Sequence, residues 1–187
     1  MKKIFSILVA VLMASTMSVN AAERGKFIHV DNSSSKNLKP QMAFCVEHKD
    51  GKDVTTLLVK TVDVNAYKEF TDASRILVRF ADGKAVRLNR VADVDIIKNK
   101  FSKKNGNATI SFYETTATYE VTPEVLAELQ AGVSIIKVRV VFKENDAKDY
   151  EIAEGYQAKM AADLLKSYQD AALSNKKSNS DLSDEDF

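Results

Sequence analysis

Residues 75–88 read Arg75-Ile76-Leu77-Val78-Arg79-Phe80-Ala81-Asp82-Gly83-Lys84-Ala85-Val86-Arg87-Leu88. Ile76, Val78 and Phe80 alternate with Arg75, Leu77 and Arg79, and the alternation resumes after Asp82-Gly83 with Val86 and Leu88 set against Arg87 and Asn89. A period of two sends successive side chains to opposite faces of a strand. Asp-Gly supplies the positive φ that a tight hairpin turn requires. The stretch therefore predicts a β-hairpin with an apolar inner face and an outer face that carries arginines.

The same grammar extends toward the N-terminus. In Gln41–His48, Met42, Phe44, Val46 and His48 share one face of a strand, while Ala43, Cys45 and Glu47 share the other. After the Asp50-Gly51 turn, Thr55–Val62 is rich in Thr, Val and Leu and is expected to return as the antiparallel partner. Residues 22–40 read as a loop or linker.

Toward the C-terminus, Val91–Phe101 fits a short helix or a connecting strand equally well. Ala108–Val121 favours strand, but Ile110 and Phe112 differ in parity from Ala117, Tyr119 and Val121. That break predicts a bulge or turn near Glu114–Thr116. Thr122-Pro123-Glu124 is a helix start, with Thr as N-cap, Pro in the first turn and an acid near the positive end of the dipole. The short helix turns Val125, Leu126 and Leu129 inward and ends at Gly132. Val133–Phe142 is the most apolar strand and is placed centrally. Lys143–Ala147 reads as a polar turn and Asp149–Ile152 as a short strand. A second helix then repeats Ile152, Tyr156, Met160, Leu164 and Tyr168 every four residues, with Ala153, Ala161, Leu165 and Ala172 widening the stripe. From Ser174 the chain is polar and reads as a disordered tail to Phe187.

Strands joined by hairpins, a short helix, a further strand and a longer amphipathic helix give an α+β fold with a mainly antiparallel sheet. The expected organisation is a signal peptide over 1–21, a linker over 22–40, one domain over 41–173 and a polar tail over 174–187. The leader reading rests on Lys2 and Lys3, the apolar run Ile4–Met17, and the small residues of Val19-Asn20-Ala21. The apolar run falls short of the roughly 20 residues that cross a bilayer, so no integral segment is expected after cleavage. Export to the periplasm or beyond follows as the expectation.

Losing Lys2 and Lys3 leaves 25 of the 27 basic residues against 26 acidic ones, a formal charge of −1. That balance predicts no general attraction to nucleic acid. The single cysteine, Cys45, cannot form an internal disulfide, so stability must come from a packed core. With 45% apolar residues, the chain has the material for one.

Few residues suit catalysis. Only His29 and His48 are present, and Cys45 lies three residues from His48, on the opposite face of a strand. A buried, inert thiol is expected there. Gly-x-Ser-x-Gly, Walker A and dinucleotide glycine patterns are absent from the sequence, and neither acidic cluster has the ligand spacing of a calcium loop. No metal and no cofactor is expected. The candidate ligand-binding residues are Arg75, Arg79 and Arg87 on the outer face of the hairpin, with Lys84 at its turn and Arg90 just beyond. Clustered arginines suit phosphate, an acidic glycan or a carboxylate-rich protein surface. Lys137 and Arg139 repeat the pattern on another strand. Asn32-Ser33-Ser34 and Asn107-Ala108-Thr109 match the glycosylation pattern, which matters only in a eukaryotic secretory pathway.

The Lys-Lys leader, the hairpin of residues 75–88, and Val121-Thr-Pro-Glu-Val-Leu-Ala-Glu-Leu leading into Ile135-Ile-Lys-Val-Arg-Val form a layout that resembles small secreted proteins of gut-type Bacteroidota bacteria. The resemblance covers roughly the middle third of the chain and is one of style rather than of a diagnostic motif. It implies an envelope or secreted location and carries over no active site. Two functional readings follow: a non-catalytic binding or structural module, with an anionic ligand or an envelope protein as partner, or a small envelope hydrolase whose carboxylates converge only in the fold.

Overall fold

A computed structural model describes residues 23–30, 38–49, 52–105 and 108–181. The leader, Asp50-Gly51, Gly106-Asn107, residues 182–187 and the Asn32 glycosylation pattern lie outside the described residues. The chain is α+β, and the described residues form mostly antiparallel strands in two sheets and two helices.

The hairpin of residues 75–88 forms β5 (Arg75–Phe80) and β6 (Ala85–Asn89), and Gly83 holds a φ of 93° at its turn. β5 also pairs with β9 (Ile135–Lys143), which in turn pairs with β10 (Asp146–Glu151). The resulting order is β10-β9-β5-β6, so the apolar strand β9 is internal as its composition predicts. Asp146 pairs with Lys143, which narrows the expected polar turn to Glu144 and Asn145. Asn145 there adopts a φ of 63°, a conformation that asparagine tolerates better than most residues.

The six-stranded sheet is built on β3 (Gln41–Lys49) and β4 (Lys52–Asp63), with β8 (Ala108–Glu120) and β7 (Ile97–Asn105) beyond them. β1 (Glu23–Arg24) and β2 (Ile28–His29) both pair with the other side of β3. Glu23–Arg24 and Ile28–His29 are thus paired strands within the span read as linker, because the edge of β3 offers ladder partners to a segment whose sequence has no strand pattern; residues 31–37 of that span lie outside the described residues. The ambiguous 91–101 region resolves into a loop and the start of β7.

β8 corrects a second expectation. It runs unbroken for 13 residues, in register with β4 and β7, and has no bulge at Glu114–Thr116. Thr115, Ala117 and Tyr119 pair across from Thr61, Val59 and Leu57 on the core side. Ile110 and Phe112 therefore lie on the opposite, outer face of the same strand. The parity break marks apolar residues facing outward, not a kink.

α1 (Pro123–Gln130) begins after Thr122, whose backbone is extended and whose side chain makes no capping hydrogen bond. Gly132, at a φ of 72°, follows its C-terminus. α2 (Glu154–Asp181) runs eight residues past the expected start of the tail, which corrects that boundary. Its buried line is Tyr156, Met160, Leu164, Ser167, Ala171 and Asn175. The line drifts off the strict four-residue stripe because 3.6 residues complete a turn, so polar Ser167 and Asn175 are drawn inward. Ala153, assigned to the stripe, is exposed.

Three hydrogen bonds fasten α2 to β2, β3 and β4 in turn. The Tyr156 hydroxyl donates to the His29 carbonyl at 3.0 Å, the Phe44 amide donates to Ser167 Oγ at 3.2 Å, and Asn175 Nδ2 donates to Asp53 Oδ1 at 2.9 Å. Between them Phe44 and Tyr168 meet edge to face, 5.7 Å between centroids. Helix rise gives about 28 Å from Tyr156 to Asn175. Strand rise gives about 24 Å from Gln41, the partner of His29, to His48, the partner of Asp53. The two lengths match, so the helix follows β3 in its own direction. One core cluster joins both sheets and α2, with Met42, Phe44, Leu57, Phe80, Leu88, Val140 and Met160 among its members.

Candidate functional site

Antiparallel registration of β6, β5, β9 and β10 decides which outward side chains meet. Leu77 lies between Arg87 and Arg139, Arg79 between Ala85 and Lys137, and Arg75 between Asn89 and Val141. Arg75, Arg79 and Arg87 thus share one face, and Arg139 and Lys137 join them from β9. Leu77, Arg79, Ala85, Lys137 and Arg139 line a shallow depression of about 200 Å³. Its floor is apolar and its walls are cationic.

The five cations differ in what they have to offer. Arg139 grips Asp149 with Nε and with Nη2, the latter at 2.7 Å. Lys137 reaches Asp149 at 3.0 Å and Glu151 at 2.7 Å. Hydrogen bonds from Arg139 and then Lys137 hold the Asp149 carboxyl well below the usual carboxylate range. Glu151, followed by Asp149, raises the Lys137 ammonium, and Asp149 raises the Arg139 guanidinium. Both β9 cations are thus locally neutralised. The Arg87 Nε–H donates to Asn89 Oδ1 at 2.9 Å and Arg75 Nη1 donates to the Ala73 carbonyl at 3.5 Å, both neutral partners. Arg79 is exposed and has no carboxylate within ion-pair distance among the described residues. Arg75, Arg79 and Arg87 are the cations left available for an anion.

Lys84 and Arg90 fall outside this cluster. The Lys84 ammonium reaches over α1 to Glu128, only 6% exposed, and lies 3.6 Å from Asp82. The Glu128 hydrogen bond raises its pKa, so it acts as a charged strut between the hairpin turn and α1. Arg90 has a side chain only 7% exposed; Nη1 holds Asp72 and Nη2 donates to the Val94 carbonyl at 2.8 Å. Its backbone bridges Tyr119, so Arg90 staples the seam between the sheets. The pattern of alternation ends at Asn89, which is why neighbours in sequence leave the face.

Cys45 is buried, and burial followed by the Glu47 charge pushes its thiol pKa up. His48 Nδ1 lies 3.0 Å from Asp53 Oδ1, the same oxygen that Asn175 engages. Among the described residues no group of three or more His, Cys, Asp or Glu side chains is placed to hold a metal ion. No helix among them is long and apolar enough to cross a membrane.

Sequence alternation marked Lys137 and Arg139 but did not place them beside the hairpin arginines, because strand pairing between residues about 60 positions apart leaves no local mark. Compared with protein-family models, with curated proteins and with solved structures, the chain finds no match.

Proposed function

We propose that the protein is an exported, non-catalytic binding module of the cell envelope, of the kind seen in small secreted Bacteroidota proteins, and that Arg75, Arg79 and Arg87 receive an anionic ligand. The carrying observation is Arg79, exposed and without a carboxylate partner among the described residues, beside the Leu77 floor. A guanidinium presents paired donors to phosphate or carboxylate, and it is less strongly hydrated than an ammonium. At about 200 Å³ the depression is smaller than the ~300 Å³ at which small-molecule pockets begin, which suits one charged group of a larger ligand. A phosphate or a uronate on a glycan has that size and charge.

The test is a thermal-shift panel with heparin-like polyanions, phosphorylated and acidic sugars, and neutral glycans. A ligand at about 100 times its Kd adds roughly 2.7 kcal/mol, a shift of several degrees. The shift should appear with anions alone and vanish when Arg79→Ala and Arg87→Ala are combined. Asp149→Asn should enlarge it, since Arg139 is then released to the face while Lys137 keeps Glu151. An anion-induced shift that survives the double substitution places the ligand elsewhere and refutes the assignment.

A further inference from the structure

We propose that the open edge of β7 is a docking site for an extended segment of a partner protein in which acidic and apolar side chains alternate. β7 pairs with β8 on one side and is the last strand of its sheet among the described residues, so alternate backbone amides and carbonyls along nine residues point away from the ladder. The two faces flanking that edge are chemically distinct. On the outer face Ile97, Phe101, Ile110 and Phe112 come together, with Phe101 and Phe112 stacked at 5.2 Å between centroids, Asn99 between Ile97 and Phe101, and Lys103 opposite Ile110 and 6.0 Å from the Phe101 ring. Ile97 is 56% exposed, Phe101 38% and Ile110 37%. On the other face Lys98, Lys100 and Lys104 line up beside Tyr113, with Lys98 5.9 Å from the Tyr67 ring and Lys100 5.2 Å from that of Tyr113.

Charge decides the occupant. β7 carries Lys98, Lys100, Lys103 and Lys104 and no acid. Across the ladder, Glu114 is already engaged by Asn99 at 3.3 Å and by Lys60 at 3.5 Å. None of the four lysines is within ion-pair distance of a carboxylate among the described residues. A second copy of β7 would set lysines against lysines, the arrangement that edge strands use to prevent self-pairing. A strand added at this edge sends alternate side chains to the two faces. Those beside Ile97 and Phe101 must be apolar, and those beside Lys98 and Lys100 must be acidic.

The experiment titrates the purified protein with the peptide Glu-Val-Glu-Val-Glu-Val-Glu-Val-Glu and with a peptide of the same composition whose glutamates are grouped together. Binding is followed by calorimetry and by amide hydrogen exchange. The alternating peptide should bind saturably, slow exchange at alternate β7 amides, and weaken with salt. Combining Lys98→Glu with Lys100→Glu should lower its affinity at least about tenfold while leaving the melting curve unchanged. No binding at millimolar peptide, equal binding of both peptides, or protection confined to other strands would each overturn the proposal. So would β7 protection by phosphatidylglycerol vesicles but not by peptide, or self-association of the protein through β7.

Discussion

Gly25 sits between β1 and β2, where the chain passes under α2. A Cβ added there would lie 2.6 Å from the Ser167 carbonyl carbon, and closer still to the Ser167 carbonyl oxygen and hydroxyl. The obstacle is helix backbone, which cannot swing aside like the end of a long side chain. Gly25→Ala must therefore push β1 off α2 and β3, and the hydrogen bond that the Gly25 N–H donates to the Phe44 carbonyl at 2.9 Å is lost with it. Overpacking of this kind costs about 1–3 kcal/mol, and the lost hydrogen bond adds about 1 kcal/mol. A total near 3 kcal/mol lowers the midpoint of a chain this size by roughly 6–12 °C. Thermal unfolding by circular dichroism, paired with a urea titration, reads the effect. Gly155→Ala is the control: nothing lies within 4 Å of its added Cβ, and alanine at the start of α2 should stabilise slightly. Combining Gly25→Ala with Ser167→Ala should give no rescue, because the carbonyl remains. A Gly25→Ala midpoint within about 1 °C of the parent would refute the close approach of β1 to α2.

Two more outcomes follow from the electrostatics and burial. The depressed Asp149 carboxyl stabilises the folded state only while it is ionised, so its contribution is whole above its unfolded pKa of about 3.9 and is lost as pH falls toward the lower folded value. The stability gap between the parent and Asp149→Asn, measured by urea unfolding, should hold steady from about pH 7 to 5 and close below about pH 4; a gap that widens on acidification would contradict the pairing. Cys45, buried and with a raised thiol pKa, should react with a thiol-specific chromogenic disulfide at neutral pH only as fast as the fold opens. Immediate stoichiometric labelling of native protein would show that the thiol is accessible.

Local alternation was enough to read the hairpin of residues 75–88, the internal position of β9 and the two helices, because each depends on contacts within a turn or a strand. The same alternation placed Arg75, Arg79 and Arg87 on one face. It failed where burial has two sides. Thr115–Tyr119 is buried on both faces of β8 while Ile110 and Phe112 look outward, so a single straight strand imitates a broken one. It also failed for Ser167 and Asn175, polar residues that are drawn into the buried line of α2 because β3 and β4 present an amide and a carboxylate to them.

The sequence by itself determined the fold class, the turns at Gly83 and Gly132, and the alternating arginines, since these follow from backbone sterics and the two-residue and 3.6-residue periods. Only the tertiary structure decided that Arg139 and Lys137 complete the basic face while Lys84 and Arg90 leave it, that Asp149 neutralises part of it, and that β7 ends its sheet among the described residues. Those outcomes depend on which distant strands pair and in what register, and pairing energy is shared across the whole core rather than written in any one segment.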